Sequence, residues 1–349
     1  MTSKWGFLAA AALAALAAGT TPAEAQTTTL RIGNWLPPHH LIVRGIVEPW
    51  ARAIEAETGG TLKFEIMTSA VGRPPEYFDF VVNGVVDVGY GVSGHNPGRF
   101  TMTQVMDLPF MSPDPWSGAA ASWLAYQRYG ARYNEHKGAK VVGLWVHSEP
   151  YLHMRGDPVR TIDDFKGKKV RVGGNVTGRI ITALGGTPVQ LPPTEAQQAM
   201  QSGVADGITF PLESIEFFKI TPVIKSNTRF PGGLYTDTFW LAFNEAKWNA
   251  LTPAQKAAVE KHSGLGVALL SGWAWTNGDN LGKAALEKNG VNFFTLPETE
   301  IAKAKQTLKV LEDEWLAEAK KRNLPGDEIM AYARAMATQY RSEKRVNIP

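Results

Sequence analysis

The residue type best suited to hold an anion stands at Arg171, within Gly167-Lys168-Lys169-Val170-Arg171-Val172-Gly173-Gly174-Asn175. If Val170 and Val172 face a core, the period-two alternation of a strand turns Arg171 to the opposite face, near the strand's C-terminal end. Ligands of open α/β sheets bind beyond that end. A guanidinium presents a fixed fork of donors that matches a carboxylate, whereas lysine presents a point charge. The Gly173-Gly174-Asn175 start of the next helix offers backbone N–H donors to the same anion. A surface arginine on an edge strand is the competing reading of the same residues.

Aromatic residues stand where they would line a cleft beside that cation: Trp145, Tyr151, Phe210 and Trp240, with Trp35 and Phe78 as weaker candidates. Small-molecule pockets are mostly apolar with a few placed polar groups, so the set fits a carboxylate with an apolar or aromatic body, or a zwitterion stacked on rings. For each ring taken alone, core packing competes. Glu213, just past Pro211, is a candidate partner for a hydroxyl or amine, or else a solvated carboxylate at a helix start.

Gly89-Tyr90-Gly91-Val92-Ser93-Gly94 matches the dinucleotide fingerprint as written, but His95-Asn96-Pro97-Gly98 follows and denies the pyrophosphate a helix N-terminus. No cofactor is expected; the stretch reads as a glycine loop from which Ser93, His95 and Asn96 reach a ligand. His39 and His40 close the first strand. Adjacent histidines point in different directions and no third ligand stands at a recognised spacing, so no metal is expected; one of the two is expected to donate to the ligand, with His39 taken as the candidate. No HExxH, GxSxG or P-loop occurs, and no acid pair or Ser/His/Asp set follows from spacing. The sequence therefore names no catalytic residue, although triads assembled in space keep an exported α/β enzyme as an alternative.

The elements that must position these residues alternate. Residues 30–35 read as a strand, followed by a helix with Trp50, Ala51 and Ile54 on one face and Gly59-Gly60 as its stop. Residues 62–67 alternate as a strand, 75–83 form a short helix and 85–90 are β-rich. The order restarts with strands at 141–146 and 169–172 and helices at 176–184 and 194–202, which predicts two α/β lobes with parallel sheets. Asn83-Gly84-Val85-Val86-Asp87-Val88-Gly89 and Ser202-Gly203-Val204-Ala205-Asp206-Gly207-Ile208 form a short repeat, one copy per lobe; in each, Gly closes a helix and Val-x-Asp leads into a strand, with Asp able to bond backbone in the turn. From the Thr252-Pro253 cap to about residue 286 the pattern predicts one long helix, irregular near Gly264, Gly266 and Gly272. Residues 298–322 and 327–345 read as amphipathic outer helices, and the chain is expected to cross between lobes on strands such as 235–243.

The chain has 349 residues, 44% hydrophobic and 20% charged, with 11 Trp and no Cys. Disorder is excluded, as are disulfides, thiolate metal sites and cysteine nucleophiles. The net charge of +3 is small and spread out, without the basic, aromatic-interleaved runs of nucleic-acid binders. Lys4, the apolar run 6–18 and Ala23-Glu24-Ala25 have the order of an export signal cleaved after Ala25. A periplasmic protein is expected, divided into a signal at 1–25, one lobe from 26–147 with about 236–265, and a second from 148–235 with about 266–349.

Residues 158–172, Pro-Val-Arg-Thr-Ile-Asp-Asp-Phe-Lys-Gly-Lys-Lys-Val-Arg-Val, resemble the signature of the solute receptors of tripartite ATP-independent periplasmic (TRAP) transporters, the DctP-type family. So does Gln198-Ala199-Met200-Gln201-Ser202-Gly203-Val204-Ala205-Asp206-Gly207 with Pro211 after it; Asn244, Trp248 and Leu251-Thr252-Pro253 extend the likeness, which runs loosely from Leu30 to about Lys288. The resemblance implies a type II periplasmic-binding-protein-like fold with a hinge, a long helix along both lobes and an arginine at Arg171 that binds the ligand carboxylate; membrane permease subunits are the expected partners, and a monomer is expected. Two departures matter. Phe210 stands where many members have Asn or Glu, and Glu149-Pro150-Tyr151-Leu152-His153-Met154 lacks the second arginine of sialic-acid receptors, so that ligand is not expected. A receptor for an ATP-driven importer or a sensor kinase is the nearest alternative.

Overall fold

The structure, a computed structural model, describes residues 27–342. The proposed export signal and the end of the last predicted helix lie outside the described residues. Among the described residues, eleven strands form two sheets. The first, in the order β2-β1-β3-β10-β4, contains β1 (Thr28–Gly33), β2 (Leu62–Ile66), β3 (Val88–Val92), β4 (Ala139–Val146) and β10 (Thr238–Asn244). The second, in the order β11-β9-β5-β8-β6-β7, contains β5 (Tyr151–Met154), β6 (Lys169–Val172), β7 (Thr187–Gln190), β8 (Gly207–Phe210), β9 (Ser226–Arg229) and β11 (Asn292–Thr295). Helices cover both, giving the two-lobed α/β architecture.

The sheets are mixed, not parallel as the sequence pattern suggests, and the exceptions are the strands by which the chain enters each lobe. β5 runs antiparallel to β8 and β9, and β10 antiparallel to β3 and β4. Both follow a crossing segment, at 147–150 and 230–237, and so point away from the junction, while their neighbours end toward it. The C-terminal ends of β1, β3, β6 and β8 therefore face one another across a single gap, the place where open α/β sheets bind ligands.

The short repeat is structural. Gly84 and Gly203 take left-handed φ values of 71° and 77° as they close their helices. Asp87 Oδ2 accepts the N–H of Arg31 on β1, and Asp206 Oδ2 accepts that of Lys169 on β6, each at 2.8 Å. The aspartates thus tie their turn to the neighbouring strand rather than to their own turn. That bond helps fix the height at which β1 and β6 deliver Trp35 and Arg171 toward the gap.

The expected single helix from 252 to 286 is two, Pro253–Lys261 and Leu265–Lys288. Gly264 breaks them with φ 66° and ψ −125°, and a Cβ there would stand 2.8 Å from the Trp123 ring. The longer piece packs on helix Pro115–Ala125 and β4 of the first lobe and on helix Leu212–Phe217 of the second. At Gly282 it approaches so closely that a Cβ would lie 2.5 Å from the Leu212 backbone.

Candidate functional site

The facing strand ends enclose a cavity of about 50 Å³, room for a few waters at about 10–15 Å³ each. Its walls are Trp35, Val92, His95 and Phe239 from the first lobe, and Arg171, Gly173, Phe210, Ser214 and Phe218 from the second. His147 and Asp237 come from the two crossing segments, Trp275 from the long helix, and His40 from the turn after β1. Five aromatic rings thus surround one cation.

Arg171 is 1% exposed. Its Nε and Nη2 donate to the Leu191 carbonyl at 3.0 and 2.5 Å, and its guanidinium carbon lies 4.4 Å from the centroid of the Phe210 ring. Nη1 is buried without a partner. Burial lowers the guanidinium pKa to about 10, still charged at neutral pH. A buried cation with one unused donor is costly to leave unmatched, so it selects an anionic acceptor.

Neutral groups complete the polar lining. Burial lowers His95 to about 4 and His40 to about 3, so neither carries charge at neutral pH. His40 Nδ1 accepts the Ile42 N–H at 3.1 Å, which leaves the Nε2 proton directed at Glu213 Oε1, 3.8 Å away. Burial pushes Glu213 up to about 8, and its Oε2 accepts the Ser214 hydroxyl at 2.9 Å. His147 donates from Nδ1 to the Ser148 carbonyl at 2.7 Å and accepts the Asp237 N–H on Nε2 at 2.9 Å, which sets its tautomer.

The lobes are shut around this space. Gly94 and Gly174 meet backbone to backbone, for a Cβ on Gly94 would lie 3.3 Å from the Gly174 Cα. Gln104 Nε2 donates to Asn175 Oδ1 at 3.3 Å, and Arg73 pairs with Glu195 at 3.0 Å on the rim.

Of the residues singled out from sequence, Arg171, Phe210 and His95 lie on the cavity wall, as does the weaker candidate Trp35. The others do not. Trp240 packs edge-on to Phe78 at 5.2 Å and covers Gly91; it is Phe239, one residue earlier and therefore on the other face of β10, that reaches the cavity. Trp145 stacks behind Phe239 at 5.6 Å. Tyr151 lines a separate cavity beside Glu149, Arg229 and Asp279. Ser93 is fully buried and Asn96 donates to the Pro75 carbonyl at 2.9 Å. His39 is exposed against Phe217, and His40 takes the inward position. Glu213 sits behind Ser214, which lines the wall in its place. The residues that sequence reasoning passed over are His147, Asp237, Phe218 and Trp275. Asp237 and His147 stand at the strand ends where the chain changes lobes, and that crossing was the available signal.

A family model described as bacterial extracellular solute-binding protein, family 7 (DctP), matches residues 32–319. The chain belongs to this family. Among solved structures, this receptor is similar to a TRAP periplasmic solute-binding protein from Bordetella bronchiseptica with bound (R)- and (S)-mandelate, at 33% identity and a TM-score of 0.86 over 89% of this chain and 99% of that one. It is also similar to a TRAP solute-binding protein from Rhodoferax ferrireducens in complex with copurified benzoate, at 27% identity and a TM-score of 0.85 over 90% and 99%. A curated relative described as the outer membrane transporter protein TsaT of Comamonas testosteroni is 25% identical over 94% of this chain and 97% of its own. The resemblance to TRAP receptors and the two-lobed α/β fold expected from sequence are thereby borne out.

Proposed function

We propose that this receptor captures a small carboxylate with an aromatic body, closes over it, and presents the closed form to the membrane permease of a TRAP transporter. The observation that carries the proposal is the unpartnered Nη1 of Arg171, fully buried against the Phe210 ring in a cavity walled by aromatic residues. The ligand carboxylate takes Nη1, and the rings of Trp35, Phe218, Phe239 and Trp275 take its body. Segments 147–150 and 230–237 act as the hinge, with the helix Leu265–Lys288 as a common spine. The reading supports a binding role without chemistry on the ligand, and export with cleavage after Ala25. The two similar structures that hold mandelate and benzoate are consistent with the ligand class.

A thermal-shift screen of the mature protein tests it. Aromatic monocarboxylates are expected to raise the melting temperature, since a ligand at a hundred times its Kd stabilises by about 2.7 kcal/mol. Stabilisation by nucleotides or neutral sugars, and by no carboxylate, would contradict the proposal. Sequencing the N-terminus of periplasmic protein is expected to return Gln26.

A further inference from the structure

Asp237 is the feature of the cavity that a plain carboxylate does not explain. Its side chain, 15% exposed, lines the same space as Arg171, yet no direct ion pair joins the two. A Cβ on Gly173 would lie 3.3 Å from Asp237 Oδ2 and 3.8 and 3.9 Å from the Arg171 terminal nitrogens. The glycine therefore keeps open a gap with an acid on one side and a guanidinium on the other.

Among the described residues, no donor hydrogen-bonds to the Asp237 carboxylate. His147 Nε2 stands 3.5 Å from Oδ2, but that nitrogen already accepts the Asp237 backbone N–H and so turns a lone pair, not a proton, toward it. Behind it, burial and the Asp237 charge push the Asp107 carboxyl well up, while Asp107 Oδ1 accepts from the Thr238 N–H and hydroxyl. Nothing in the protein satisfies Asp237 on the cavity side. An unsubstituted acid would bring a second negative charge beside it without relief.

We infer that Asp237 selects ligands bearing a hydrogen-bond donor next to the carboxylate, a hydroxyl or an ammonium, so that the acid group meets Arg171 while the neighbouring donor meets Asp237. This rests on the carboxylate-binding reading above and names the class within it. A site that binds a polar substituent in a desolvated pocket discriminates strongly against the analogue lacking it, because its own group is left unpaired.

Calorimetric titration with phenylacetate, mandelate and phenylglycine, which share one skeleton and differ at one substituent, tests the inference. Wild type is expected to bind mandelate or phenylglycine about tenfold or more tighter than phenylacetate; the identity of the favoured acid tells hydroxyl from ammonium. In Asp237→Ala that ratio is expected to fall within threefold, with phenylacetate bound more tightly than by wild type. Asp237→Asn, whose amide oxygen still accepts, is expected to keep part of it, and thermal melts establish that both variants fold. Phenylacetate within threefold of both other acids in wild type, or a ratio that survives in Asp237→Ala, would overturn the role of Asp237 and leave the receptor reading standing. Failure of all three acids to bind would remove the aromatic-carboxylate reading and this inference with it.

Discussion

The guanidinium of Arg171 on β6 lies over the ring of Phe210 on the adjacent β8, 4.4 Å from carbon to centroid. The ring replaces a polar partner with a face that attracts cations, while Leu191 anchors the far side of the fork. The cation is thus held in place without being neutralised, which leaves its charge for a ligand. Phe210→Leu keeps an apolar wall and removes the ring face. It is expected to weaken carboxylate binding by about 0.5–2 kcal/mol by calorimetry, with little change in melting temperature.

Closure depends on two glycines that meet without side chains. A methyl group at position 94 would press on the Gly174 Cα at 3.3 Å, and backbone cannot yield as a flexible side chain can. Gly94→Ala is expected to weaken ligand binding about tenfold or more, because each 1.4 kcal/mol of opposed closure is a factor of ten. Small-angle scattering with saturating ligand is expected to show a more open average shape than wild type.

Stability should depend on pH through Glu213 and His40, with opposite signs. Burial raises the folded Glu213 pKa from 4.5 to about 8, so the native state holds a proton that the unfolded state releases, and stability falls as pH rises across that window. Burial lowers His40 from 6.5 to about 3, so the unfolded state takes up the proton first and stability falls as pH drops below 6.5. The two oppose each other between 4.5 and 6.5, and above 6.5 the Glu213 effect stands clear of His40. Denaturant melts from pH 6.5 to 8 are expected to show falling stability in wild type; Glu213→Gln is expected to remove up to about 2 kcal/mol of that loss, and the buried, raised carboxyls of Glu135 and Asp107 to keep the remainder.

Trp240 and Phe239 should separate stability from affinity. Trp240 is 1% exposed in the first-lobe core, so Trp240→Ala is expected to cost about 3–5 kcal/mol of stability. Phe239→Leu, at the cavity wall, is expected to alter affinity for aromatic acids more than the melting temperature. Paired melts and titrations read both.

The strand that carries Arg171 and the helix after it were legible because alternation and glycine closure are local signals, and the Gly-Val-x-Asp repeat marked the two sites where β1 and β6 are held. Mixed sheets were not legible, since the direction of β5 and β10 follows from where the chain changes lobes and not from their own residues. Rings were assigned to the cavity by type and not by face. On β10 that selected Trp240 instead of Phe239, a one-residue step that a strand converts into opposite sides of the sheet. Trp275 reaches the cavity from a helix and Phe218 from the turn that closes one, both placed by tertiary packing, and Asp237 lies in a crossing segment without secondary structure.

The most direct measurement is calorimetric titration of wild type and Arg171→Ala with the best-bound aromatic acid from the thermal screen. Losing the buried cation is expected to cost about 2–5 kcal/mol of binding, more than about thirtyfold in Kd, while melting of the unliganded protein shows a folded chain. An Arg171→Ala variant that binds the acid within threefold of wild type would contradict the account.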